Sequence, residues 1–192
     1  MKKLIIIING KGGCGKDTLV KFVQSQYERY EVWNISAIDP IKEIAKPYGY
    51  SENNKDEKWR KALSLLKEAF ILIDNIPLKY LLRKTEAFLE SDDKIMFVHI
   101  REPYEIDKFK LAVKDMFIYE KEFRLNTLLI KREDTDNKVY GNKSDDEVDN
   151  YNYDFVFTNK DGEDIDKYKF MIYFKKQILP MKNGEQSLKH YL

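Results

Sequence analysis

One cysteine, Cys14, is all that this chain of 192 residues contains, which excludes an intrachain disulfide and predicts a reducing compartment. Histidine is almost as scarce. His99 and His190 leave too few nitrogen and sulfur ligands for a structural zinc site. Charge of one sign is lacking as well: 34 Lys and Arg face 33 Asp and Glu, and a net charge of +1 supplies no global field for gripping nucleic acid or anionic lipid. Long apolar runs are missing too. The opening Met1-Lys2-Lys3 has the basic start of a signal peptide, but the apolar run Leu4 to Ile8 stops at Asn9. No stretch approaches the roughly 18 residues that span a bilayer. These absences predict a cytoplasmic chain with neither a membrane nor a nucleic-acid partner.

What is present is a folded composition, 43% hydrophobic, 14% aromatic and 35% charged, too apolar for disorder. The length predicts a single domain over residues 1–192, with no repeat, linker or second core. Lys3 to Ile8 is a β-branched apolar run without polar alternation, as in a parallel strand buried on both faces. A glycine-rich loop follows, and then Leu19, Val20, Phe22, Val23 and Tyr27 recur at helical spacing over Lys16 to about Tyr30. Glu31 to Ile38 reads as a second strand. Asp39-Pro40 opens a helix with a capping carboxylate, and Pro47 and Gly49 end it.

Asn54 to Ile73 reads as a long core helix, with Trp59, Leu63, Leu66 and Phe70 on one face and Ala62, Leu65 and Ala69 beside them. Pro77 restarts a helix to about Leu89, Lys94 to Ile100 is a third buried-type strand, and Pro103 starts the next helix. Leu125 to Ile130 and Tyr153 to Phe157 are the fourth and fifth strands. Ile165 to Leu179 is a closing helix that carries Phe170, Ile172, Tyr173 and Phe174. The polar stretch at about 132–152 is too long for an ordinary connection and reads as a lid or a disordered flap.

Gly10-Lys11-Gly12-Gly13-Cys14-Gly15-Lys16-Asp17-Thr18 fits G-x-x-x-x-G-K, sited between a strand and a helix where such a loop must lie. Glycines let phosphate oxygens approach the main chain, and the helix start adds N–H donors and a positive dipole end. Lys16 would reach the β- and γ-phosphates of ATP as a compact point charge. The pattern usually places Ser or Thr after the lysine to ligate Mg2+; Asp17 stands there, and the hydroxyl comes one step later at Thr18. Asp17 reads either as a ligand of this hard cation or as a first-turn acid favoured by the dipole. Thr18 offers its N–H to a phosphate, and Cys14 reads as a small filler of the loop. The fold class is thus α/β, a P-loop NTPase three-layer sandwich with a five-stranded, mainly parallel sheet, helices on both faces and a lid.

The string Gly15-Lys16-Asp17-Thr18 after a glycine loop resembles the phage and bacterial deoxynucleoside monophosphate kinases. Ala37-Ile38-Asp39-Pro40-Ile41-Lys42 stands where that family has A-x-P-I-K, and Trp59-Arg60-Lys61 matches an arginine-bearing helix. Arg101-Glu102-Pro103-Tyr104-Glu105 matches the end of D-x-R-x-x-x-E, and Tyr153-Asp154 through Asn159 matches Y-D-x-x-x-x-N. The resemblance implies ATP and Mg2+ as cofactors and a nucleoside monophosphate as the small-molecule substrate; a homodimer is compatible with it. It places the acceptor on Arg101 and Glu105, with Asp39, Lys42 and Arg60 as further contacts, and sets Asn159 beside the adenine. Asp17 and Asp39 are its candidate metal ligands. His99 occupies the position of a family acid and imidazole suits Mg2+ poorly, so either Asp17 or Asp39 takes over that acid's task or the chain is a degenerate relative, and His99 itself reads first as a satisfied strand-end histidine.

Each of these residues also has a structural reading. Asp39 can be a cap, Lys42 and Arg60 solvated surface, and Glu105 one half of an ion pair with Arg101 one turn away. Lys131 and Arg132 begin the lid, where a basic residue could close over the transferred group. The loop also resembles the deviant G-K-G-G-x-G-K-T-T of partitioning and division-site ATPases, with Lys11 in the place of their signature lysine. Ala37 and Asp17 depart from that pattern. A nucleotide-binding module without catalysis, or a kinase of another small molecule such as dephospho-coenzyme A, remains open on sequence.

Overall fold

Leu4 to Ile8 carry no polar side chain because this strand has no solvent face: all of β1 (Lys3–Asn9) is buried. The computed structural model describes residues 2–29, 31–52, 56–117, 123–132, 147–159 and 166–180. In it, β1 lies at the centre of a five-stranded sheet with β2 (Val32–Ser36), β3 (Ile95–His99), β4 (Phe123–Arg132) and β5 (Phe155–Asn159). The strand order is β2-β3-β1-β4-β5, and every pairing is parallel. Ile8 lies opposite His99 on one side and Leu128 on the other, so β1 and β3 end within one residue of each other while β4 runs on to Arg132.

Alternate residues of β1 feed two cores, as the two-residue period of a strand requires. Leu4, Ile6 and Ile8 pack with α1 (Lys16–Ser25) and with α6 (Lys167–Tyr173), which continues as a wider turn over Phe174–Ile178. Ile5 and Ile7 pack on the other face with α4 (Ile76–Glu90) and α5 (Pro103–Met116). The result is the expected three-layer α/β sandwich, with a sheet that is wholly rather than mainly parallel.

Four expectations need correction. The helix α3 (Glu57–Asp74) is no core helix: only Leu63 is buried, while Leu65 is 56% and Leu72 86% exposed. Trp59, Leu66 and Phe70 pack instead with Ile41, Ala45 and Tyr50 in a small satellite cluster between α3 and α2 (Asp39–Ala45). α1 ends at Ser25 rather than near Tyr30, and β5 starts at Phe155 rather than Tyr153. The latter shift has a cause, since the Asp154 carboxylate accepts Thr127 N–H at 2.7 Å, while Tyr153 turns its hydroxyl to Asn9. Asp39 does not cap α2, because its carboxylate faces backwards to accept Ser36 N–H at 2.7 Å.

Most of the lid or flap expected at 132–152 lies outside the described residues. Its far end is described and is packed: Val148 is fully buried in a short turn, Val148–Asn150.

Lys3 is the first charged residue of the central strand and is only 8% exposed. Its ammonium donates to the carbonyls of Phe88 at 2.7 Å, Ser91 at 2.5 Å and Asp93 at 2.8 Å, while lying 4.7 Å from the Phe88 ring centroid. It therefore closes the carboxyl end of α4, where carbonyls and the negative dipole end favour a cation. Lys3→Met, similar in length but unable to donate, is expected to cost about 2–3 kcal/mol in urea unfolding at pH 7. A loss below about 0.5 kcal/mol would mean that water serves these carbonyls equally well.

Candidate active site

Beyond β1 the chain turns to α1 on one face of the sheet, and beyond β3 it turns to α5 on the other. Adjacent strands whose exits diverge leave a crevice at their carboxyl ends, the usual ligand position in an open α/β sheet. The glycine loop occupies it. Gly10 has φ +149, and a Cβ there would stand 2.4 Å from the Ile130 carbonyl oxygen and 2.7 Å from Cys14 Sγ. Glycine is the residue that can lie this close to β4. Gly15, at φ 91, forms the left-handed entry to α1, and no side chain caps that helix. Its first-turn N–H groups are thus uncapped by side chains where a phosphate would lie.

Lys16 curls back into this loop. Its ammonium donates to the carbonyl of Gly10 and, at 3.1 Å, to that of Lys11, with Cys14 Sγ at 3.5 Å. Burial lowers its pKa from the ordinary lysine value, the Cys14 sulfur opposes the shift, and the cation of Arg101 adds to it. Cys14 is fully buried, as a filler of the loop should be.

Asn9 joins three parts of the site. Its Nδ2 donates to the Arg101 carbonyl at 2.8 Å and to the Tyr153 hydroxyl at 2.7 Å, and its Oδ1 accepts Gly10 N–H at 2.8 Å. Tyr153 passes its own proton to the Val148 carbonyl at 3.0 Å. Beside them the Asp149 carboxylate meets Lys11 Nζ at 3.2 Å and Lys131 Nζ at 3.1 Å. Burial would raise the Asp149 pKa, but these two lysines outweigh it and hold the group below the usual carboxylate value.

His99 lies at the rim with Nε2 2.8 Å from Asn34 Oδ1 and Nδ1 3.9 Å from Asp17 Oδ1. Burial depresses its pKa to about 4; Asp17 opposes this, while Lys16, Arg101 and Lys42 reinforce it. The ring is neutral at pH 7, so its approach to Asp17 is no ion pair. Nε2 carries the hydrogen toward Asn34, which leaves Nδ1 as an acceptor. The same electrostatics bring Lys16, Asp17, Arg101 and Lys42 into one neighbourhood around His99.

Asp17 leaves 70% of its side chain exposed at the first turn of α1. Among the described residues no group of three or more His, Cys, Asp or Glu could enclose a metal ion. Mg2+ needs no such cage, since one carboxylate together with nucleotide phosphates and water suffices. Asp17 fits that role. Asp39 is a poorer candidate: its Oδ2 is taken by Ser36 N–H, and burial raises its pKa, which disfavours the charged form.

Toward β2 the structure sorts the candidate acceptor residues. Glu105 is buried at 7% exposure; its Oε1 has no hydrogen-bond partner among the described residues, and the ammonium of Lys108 is 3.6 Å away. It lines a cavity of about 10 Å³ with Ala37, Ile100, Lys67 and the Pro77–Leu78 start of α4. Lys67, unforeseen from sequence, ion-pairs Glu102 at 2.5 Å. Arg101 is exposed at the exit of β3. Lys42 pairs with Glu52 at 2.8 Å, and Arg60 is exposed on α3, with no contact among the described residues joining it to the loop.

On the opposite flank Arg132 ends β4 directly across from Asn159 at the end of β5. Asn159 is 3% exposed; its Oδ1 accepts Asp166 N–H at 3.1 Å, and its Nδ2 has no partner among the described residues. That buried orphan donor is a group a nucleobase could satisfy. Asn9 was foreshadowed by a polar residue closing an apolar strand. Asp149 and Lys67 lay in charged stretches that carried no distinguishing signal.

No family model and no curated protein matches this chain. Among solved structures, a protein from Chloroflexus aurantiacus described as a putative kinase superposes with a TM-score of 0.53 at 12% identity, covering 92% of this chain and 96% of that one. TT1252 from Thermus thermophilus gives 0.46 at 17% identity, covering 92% and 99%. The first likeness shows a shared fold.

The His99 ring makes the site sensitive to acid. With a folded pKa depressed to about 4 from 6.5, its stabilising contribution is complete above pH 6.5 and is lost as pH falls through 4, because the unfolded chain takes the proton first. Ring-proton NMR is expected to show no titration of His99 above about pH 5, and His99→Gln should flatten the fall in urea midpoint between pH 6.5 and 4. A midpoint near 6.5 would place the ring in water.

Proposed function

We propose that this chain is a phosphotransferase that passes the γ-phosphoryl group of ATP to a nucleoside monophosphate, a deoxynucleotide first among the candidates. The observation that carries the reading is Lys16 folded into a strand-to-helix glycine loop with Arg101 at the exit of the neighbouring strand. Two cations close enough to act on one another stand at one crevice, which suits a reaction that gathers the phosphates of donor and acceptor. The fold shared with a protein described as a putative kinase agrees with it.

In this reading Gly10 to Thr18 hold the donor phosphates, Lys16 follows the transferred group, and Asn159 satisfies its amide on the adenine. Asp17 would hold Mg2+, which when bound neutralises the phosphate oxygens and fixes their geometry. Arg101 grips the acceptor phosphate, Lys42 adds positive potential, and Glu105 accepts a hydrogen bond from the acceptor. Arg132 faces the transferred group from the opposite side. An anionic acceptor needs no general base, so a neutral His99 is no handicap and alignment supplies the rate. The deviant ATPase reading has less support because Ala37 and Asp17 stand where its pattern needs an acid and a threonine.

The test is incubation with ATP, Mg2+ and a panel of ribo- and deoxyribonucleoside monophosphates plus dephospho-coenzyme A, followed by product separation. A phosphorylated nucleoside monophosphate is expected, and Lys16→Ala should lower its turnover by roughly 10²–10³-fold. Absence of any phosphorylated acceptor, or near-normal turnover by Lys16→Ala, would sink the reading.

A further inference from the structure

Asp149 has no part in the roles above, yet among the described residues its carboxylate sits on Lys11, a second cation of the glycine loop. It bridges Lys11 at 3.2 Å and Lys131 at 3.1 Å. Lys11 keeps 11% of its side chain exposed and Asp149 35%, so Asp149 is the member that can swing into water. Beneath it, Tyr153 holds the Val148 carbonyl at 3.0 Å and is itself held by Asn9, which gives the turn Val148–Asn150 a fixed base.

We propose that Asp149 is an internal competitor for polyphosphate: its carboxylate occupies the Lys11–Lys131 pair, and phosphate oxygens entering the loop displace it and release the turn. The inference rests on the loop being a phosphate site and says nothing about the acceptor. A phosphate oxygen and a carboxylate oxygen offer a lysine ammonium the same kind of charge-assisted bond, so one can replace the other without rebuilding the site. A phosphate chain brings several anionic oxygens to the loop amides and the two lysines together, where Asp149 brings one carboxylate, and this sets the direction of the exchange. The lowered pKa of Asp149 agrees with an anion held by two cations.

The probe is inorganic tripolyphosphate, titrated calorimetrically at constant ionic strength into the unmodified chain and into Asp149→Asn. Removing the competitor is expected to tighten binding about three- to fivefold, the scale of an exposed ion pair. Equal or weaker binding by Asp149→Asn would overturn the proposal, since a residue that merely orients Lys11 should weaken binding when lost. A second measurement needs no variant. In the unmodified chain the Asn150 amide, bonded to the Glu147 carbonyl at 3.0 Å, should exchange faster once tripolyphosphate is bound; unchanged or slower exchange also overturns the idea. Tripolyphosphate needs no acceptor. A chain that passes both measurements yet phosphorylates nothing leaves this inference standing and refutes the kinase reading; nucleotide phosphorylation with unaltered Asp149→Asn binding does the reverse.

Discussion

A single buried carboxamide sets the spacing of the site. Asn9 is the last residue of the central strand, is fully buried, and spends both amide hydrogens and its oxygen on three separate segments: the exit of β3, the tyrosine before β5 and the first residue of the glycine loop. In a low-dielectric interior each of these bonds is costly to leave unmade, so the three segments are fixed to one another. The loop that holds Lys16 and the strand exit that carries Arg101 therefore keep a separation set by one short side chain. Gly10, pressed against the Ile130 carbonyl, adds the second constraint, because nothing larger fits between β1 and β4.

The parts of this arrangement that were legible in sequence are those with a periodic or steric cause. Unbroken apolar runs announced β1 and β3, and the glycine spacing announced the loop, because a buried strand and a left-handed turn each admit few residue types. The chemistry of the rim was legible only residue by residue. Lys16 and Asp17 lie where the motif puts them, whereas the partners of Lys11, Lys42 and Lys67 come from segments remote in sequence or from charged stretches in which one acid looks like the next. The reading of α3 failed for a related reason. Trp59, Leu63, Leu66 and Phe70 do share an apolar face, but periodicity reports that a face is covered without telling by what, and here the cover is α2 rather than the sheet.

Electrostatically the rim is a group of cations around a neutral ring. Lys16, Arg101 and Lys42 all act on His99 and help keep it uncharged, so the imidazole contributes an acceptor nitrogen and no positive charge. At this strand end the chain carries a polar but neutral group, and the exposed carboxylate of Asp17 lies 3.9 Å from it. The negative charge of this rim is thus concentrated at the start of α1, next to the helix dipole that favours anions there.

The sheet order has a consequence for how the molecule comes into being. The central strand leaves the ribosome before the other four strands, yet its neighbours are Ile95–His99 and Phe123–Arg132, far along the chain. At about 5–20 residues per second, Ile8 waits roughly 5–18 s for His99, and the flank formed by β4 is available later still. During that wait an apolar, β-branched segment without proline is in the state most prone to self-association. Lys2 and Lys3 stand directly before it, so the same ammonium that later closes α4 serves the nascent chain as a gatekeeper against aggregation.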